Sequence, residues 1–201
     1  FMIGDTLENK LRDLPAAIEA YRKLTWSNWA QQARTRIDTM QSIQLLAQTP
    51  RTYRTDEPAR VRVDVRNIDR LTVKLYRLDM TDYFRKSNSI RGIERLDLQL
   101  IDPDETFEVK VDDYAPFKPI TQEIELPGDG PAVFAVNVSN EQSEVEPPSG
   151  GPLRRIEATT LVIRSDLEAI IKSSRRQVLV FVQNMRTGEV AEGVNVMVSN
   201  G

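Results

Sequence analysis

Over residues 1–42 the apolar positions recur with a helical period, and along most of the remaining chain they recur every second residue. In DLPAAIEAYRKL, Leu14, Ala17, Ile18 and Tyr21 fall at i, i+3, i+4 and i+7, with Glu19, Arg22 and Lys23 on the other side. That spacing predicts an amphipathic helix, and Asp13 and Pro15 suit its first turn. A second helix is predicted over SNWAQQARTRIDTM, capped at Ser27 with Trp26 just before it and with Ala30, Ala33, Ile37 and Met40 along one face. The small alanines let the two helices approach closely.

The pattern changes after QTPRTYRTDEP. In ARVRVDVRNIDRLTVKLYRLD, Val61, Val63 and Val65 alternate with Arg60, Arg62, Asp64 and Arg66. Beyond the NIDR turn, Leu71, Val73 and Leu75 alternate with Thr72, Lys74 and Tyr76, which reads as a half-buried antiparallel pair. Further strands are expected in RLDLQL (Leu96, Leu98, Leu100), TFEVKV (Phe107, Val109, Val111), QEIEL and AVFAVNV (Val133, Ala135, Val138). So many short strands predict an antiparallel sandwich. MTDYFRKSNSIRGIE breaks the alternation, with a helical turn expected at Thr81–Lys86, and SEVEPPSGGPLRR reads as a surface loop between two strands.

From IEATTLVIRSDLEAIIK a strand leads through a connector into QVLVFVQ, the start of a closing hairpin, VLVFVQNMRTGEVAEGVNVMVSNG, that turns at NMRTGEVAEG. Val178, Val180 and Val182 share one face, while Leu179 and Phe181 make the other face apolar too. Such a strand calls for cover on both sides. The expectation is that the segment from Gln177 onward either folds back on the first sandwich or forms a homodimer with the same hairpin of another molecule.

Composition removes chemistry more than it adds any. Among 201 residues there is no cysteine and no histidine, which excludes disulfides, thiolate metal sites, a Ser-His-Asp relay and an H-E-x-x-H zinc site within this stretch. The 27 basic and 30 acidic side chains give a net charge of −3, too balanced a field to indicate nucleic acid. Apolar runs such as VLVFV are far below the ~20 residues of a membrane span. PGDGPA and PSGGPL lack the lysine and the strand-to-helix setting of a phosphate loop, so both read as turns.

The segments and their order carry resemblances. The helical pair, with its A-I-x-x-Y … W-A-x-x-A-x-x-x-I form, is similar to a tetratricopeptide-type hairpin. EPARVRVDVRNIDRLTVKLYRLD resembles the opening of a macroglobulin-like domain of the bacterial alpha-2-macroglobulin family, and IELPGDGPAVFAVNVS resembles the closing strands of one. LVIRSDLEAIIKSSRRQVLVFVQNMRTGEVAEGVNVMVSNG is similar to the handover between consecutive macroglobulin domains, although Glu189, Val190 and Ala191 stand where the family has x-P-V. The resemblance implies a mainly β chain of immunoglobulin-like or macroglobulin-like sandwich type, divided as a helical hairpin over 1–42, a sandwich over 43–172 and the start of a second domain over 173–201. It implies a non-catalytic scaffold piece of an envelope, periplasmic or secreted protease trap. Its partners would be the neighbouring domains of the parent chain and, through the full-length protein, a target endopeptidase. The family's covalent capture needs a cysteine that is lacking here, and no bait segment is recognisable. An adhesion or carbohydrate-binding module is the alternative.

Three residue groups merit comparison with a structure. Asp102, Asp104, Glu105, Asp112 and Asp113 could bind calcium or act as a carboxylate pair only if they converged; they read as solvated turn residues. The cations of RLTVKLYR and Lys172, Arg175 and Arg176 read as outward positions protecting strand edges rather than as a polyanion site. Tyr21, Trp26 and Trp29 are expected to plug the junction of helices and sheet rather than stack on a sugar. No residue is assigned a catalytic, cofactor-binding or metal role, and no cofactor, nucleic acid or membrane span is expected.

Overall fold

The computed structural model describes residues 1–90, 98–145 and 154–199. Helix α1 (Met2–Thr6) and a π-helical turn (Leu7–Leu11) lead into α2 (Leu14–Arg22) and α3 (Ser27–Gln41). The Asp13 carboxylate accepts the Ala16 N–H, so α2 starts where its sequence signals place it. For α3 the capping position is Trp26, one residue before the expected Ser27. Ala17, Ala33, Ile18, Tyr21 and Met40 form a small separate core, and the alanines do allow the close approach. Gly4 lies so near Tyr21 that a Cβ there would stand 2.6 Å from the ring.

The strands follow: β1 (Gln44–Gln48), β2 (Arg60–Arg66), β3 (Arg70–Arg77), then α4 (Met80–Ser87), β4 (Glu105–Lys110), β5 (Ile120–Glu125), β6 (Ala132–Val145), β7 (Arg154–Arg164), β8 (Leu167–Ser173) and β9 (Val178–Asn184). A three-stranded sheet, β1-β2-β5, faces a four-stranded one, β4-β3-β6-β7, and every pairing between neighbours is antiparallel. One core lies between the sheets: Val61, Val63, Val65 and Ile124 from the first, and Leu71, Val73, Leu75, Val136, Val138 and Val162 from the second. Each such side chain, fully buried, contributes about 1.5–3 kcal/mol. The expected class, a mainly β chain with helices at the amino-terminal end and an antiparallel sandwich, is the one observed.

Several local expectations change. Residues 60–66 and 70–77 are not a hairpin, because β2 and β3 belong to different sheets and face each other across the core. Asn67 takes a left-handed conformation (φ 58°) and Ile68, 1% exposed, turns inward, so the NIDR turn crosses the sandwich instead of reversing within one sheet. Alternation cannot tell these two cases apart, since both bury one face. Leu98–Leu100, expected in a strand, is a 3-10 turn; the rest of RLDLQL, and PSGGPL in its loop, lie outside the described residues. β1 was not expected, nor was a strand within the connector after β7.

The helical unit is fastened to the sandwich by Asn67. Its Nδ2 donates to the Met40 carbonyl at 2.8 Å and the Ser42 carbonyl at 3.0 Å, while its Oδ1 accepts the Phe117 N–H at 2.7 Å. Phe117 packs on the helical core. The tryptophans, contrary to expectation, do not plug this junction: Trp26 is 74% exposed, and Trp29 stacks on Phe1 with centroids 5.0 Å apart. Of the three aromatics only Tyr21 is buried, inside the helical core.

Beyond the sandwich, β8 and β9 form a two-stranded antiparallel sheet of their own. This sheet crosses the expected 172/173 division.

Candidate functional site

The acidic residues are held apart by the strand that separates them. Asp104 and Glu105 stand at the start of β4 and Asp112 and Asp113 just after its end, and a six-residue strand spans roughly 20 Å. Asp104 uses its carboxylate to accept the Arg77 N–H at 2.6 Å, and Asp113 occupies a left-handed turn position (φ 51°). Among the described residues no group of three or more acidic side chains could hold a metal ion. The strand cations have local duties as well: Arg70 pairs with Glu108 at 2.9 Å and Arg77 donates to the Pro131 carbonyl at 3.2 Å. Lys172, Arg175 and Arg176 are exposed at one end of the β8–β9 sheet.

Polar structure concentrates where the sandwich meets that sheet. Tyr53 lies beside Arg164 in an isolated parallel bridge, its N–H bonded to the Ile163 carbonyl and its hydroxyl donating to the Arg60 carbonyl at 2.7 Å. The Arg51 guanidinium lies over the Tyr53 ring and holds the Glu57 carboxylate at 2.5 and 2.8 Å. The Arg51 hydrogen bonds, with the Arg54 N–H, lower the Glu57 pKa to about 2. Two residues past β7, Asp166 receives both the hydroxyl and the N–H of Thr55, at 2.5 and 2.9 Å, and those bonds lower its pKa as well. These contacts clamp the 51–57 turn to the start of β8. A shallow depression of about 280 Å³ opens beside the clamp, between Arg51, Tyr53, Glu57, Arg60 and Glu123. It is lined by groups already committed to one another.

Inside the same junction Arg164 is 1% exposed, and none of its guanidinium nitrogens has a hydrogen-bond partner among the described residues. It continues the inward face of Val162 at the end of β7 and reaches beneath the 127–131 loop, where Gly128 (φ 81°) lies close to its Nη1.

The β8–β9 sheet is an exposed surface rich in apolar side chains. Register pairs Leu167 with Asn184, Ala169 with Val182, Ile171 with Val180 and Ser173 with Val178. One face is therefore aliphatic throughout its middle; the other carries Ile170, Leu179 and Phe181 with Glu168, Lys172 and Gln183. All seven β8 residues are exposed, and Ile171 is 66% and Leu179 62% exposed. The expectation that this segment folds back on the sandwich is not met. Nor do its last residues complete the closing hairpin: Gln183 bridges Val190 and Ala191 N–H reaches the Val182 carbonyl, but Gly193 (φ 72°) then turns the chain and no strand follows among the described residues. β9 instead takes β8, which precedes it, as its partner.

No protein-family model matches this chain, and no curated protein matches its sequence. Two solved structures are similar to it in shape, both of native alpha-2-macroglobulin from Escherichia coli. The one spanning domains NIE-MG1 has a TM-score of 0.45 and 15% identity, over 75% of this chain and 74% of that one. The one spanning domains MG0-NIE-MG1 has a TM-score of 0.46 and 16% identity, over 76% of this chain and 49% of that one. This chain thus spans about half the length of the latter. Among the described residues no helix is long and apolar enough to cross a membrane.

Proposed function

We propose that this chain is a non-catalytic structural module of a bacterial alpha-2-macroglobulin-like protein of the cell envelope, with a helical unit, one macroglobulin-like sandwich and a linking sheet that begins the next domain. The observation that carries this reading is the division of labour between polar and apolar surface. Arg51, Glu57 and Asp166 are spent on the clamp between the 51–57 turn and β8, whereas the exposed surface is a sheet with one aliphatic face and apolar residues on the other as well. Paired charges and exposed sheet suit a module that positions neighbours, since an exposed apolar face of this kind marks an interaction site. The order of the segments resembling macroglobulin domains supports the family, and the family supports the role in protease trapping.

The test is a shielding assay on the parent polypeptide. After exposure to an endopeptidase, hydrolysis of a small chromogenic peptide should persist while digestion of a large protein substrate falls. This chain alone should leave both rates unchanged. Equal digestion of the large substrate with and without the parent polypeptide would remove the trapping role.

A further inference from the structure

The outer edge of β8 has features of a self-complementary pairing surface, and we propose that it joins the same edge of a second copy of this chain, antiparallel and centred on Ile170. Which backbone groups point outward is fixed by the bonds already made. The Asp166 carbonyl accepts the Met185 N–H and the Ser174 N–H donates to the Gln177 carbonyl, so even-numbered residues of β8 direct their backbone toward β9. Leu167, Ala169, Ile171 and Ser173 accordingly present theirs to the open edge. Among the described residues β8 pairs with β9 alone. The far edge of β9 is engaged by Glu189 and Ala191 at Asn184 and Val182, whereas the outward edge of β8 is open along its whole length among the described residues.

The side chains select the occupant and the register. With Ile170 on a two-fold axis, Glu168 lies opposite Lys172 of the partner copy and Lys172 opposite its Glu168, both on the same face as Ile170. Ala169 and Ile171 then exchange backbone bonds across the axis, as do Leu167 and Ser173, giving about eight new hydrogen bonds. Centring on Ala169 would set Glu168 against Ile170, and centring on Ile171 would set Ile170 against Lys172. A parallel arrangement in register would oppose like charges. Only the Ile170 register pairs every charge, and an isologous two-fold contact is the commonest way a chain meets its copy. The result is a four-stranded sheet, which escapes the marginal stability of an isolated two-stranded one.

Sedimentation of the whole chain tests this, with a dimer of twice the 22.9 kDa chain mass expected at tens of micromolar. Glu168→Lys and Lys172→Glu should each raise the dissociation constant about tenfold, and the double exchange should restore it, because charges then pair again in reverse. Circular dichroism confirms that each variant is folded. As the chain has no cysteine, Ile170→Cys should cross-link the dimer under mild oxidation while Leu167→Cys should not. A chain that sediments as a monomer, a double exchange that does not rescue, or equal cross-linking at positions 167 and 170 would each overturn the proposal.

Discussion

A guanidinium deep in a sandwich needs compensation, and Arg164 receives none from the described residues. Its place follows from parity: it is two residues past Val162, on the inward face of β7, at the last residue of that strand. Breaking up a buried charge is costly, but replacing the whole group by an apolar side chain of similar length is often stabilising. Arg164→Met should therefore raise stability by about 1–4 kcal/mol, read as a higher melting temperature. A lower one would mean that solvent or a bound anion satisfies the guanidinium. The sequence places Arg164 on the face of Val162, yet a charge at a strand end reads as outward. What decides the matter is the 127–131 loop folding over it, a contact between distant positions that alternation does not encode.

Among elements, the attachment of the helical unit centres on Asn67, with Arg66 beside it donating to the Thr39 carbonyl. Asn67 serves the end of α3, its capping residue Ser42 and the 113–117 loop at once through three hydrogen bonds. Asn67→Ala removes all three, strands partly buried backbone groups and a left-handed turn, and should cost about 1–3 kcal/mol. Hydrogen exchange should show faster opening at the end of α3 and around Phe117 than in β3 and β6. Helices α2 and α3 and most strands of the sandwich were legible because each turns one face to a core, so its period shows in the residues. Which strands pair was not: Val61, Val63, Val65 and Leu71, Val73, Leu75 would alternate identically in a hairpin or across a core. β1 and β8 escaped detection because QLLAQ and LEAIIKS are short and lack clear alternation, and β8 buries neither face.

For the whole molecule, acid acts at the clamp that joins the sandwich to the terminal sheet. Glu57 and Asp166 both have pKa values lowered in the folded state, so each contributes stability that is complete above its unfolded value. For Glu57 that contribution is lost as pH falls from 4.5 toward about 2. Melting temperatures should drop through that window, and less steeply in Glu57→Gln. Neither carboxylate stood out in the sequence, since their partners, Arg51 in the turn and Thr55 at a separation of 111 residues from Asp166, are revealed only by folding.

The same clamp also has a mechanical meaning. A pull on the carboxyl-terminal side of β9 loads the β8–β9 ladder from its open end, where hydrogen bonds break in succession and resist little. The load then reaches Asp166 on Thr55 and, beside it, the backbone bonds of Tyr53 to Ile163 and Ser165, which together tie the end of β7 to the distant 51–57 turn. Tension along the chain would open the terminal sheet first and leave the sandwich closed, making the short segment between Arg164 and Leu167 the place where yielding stops.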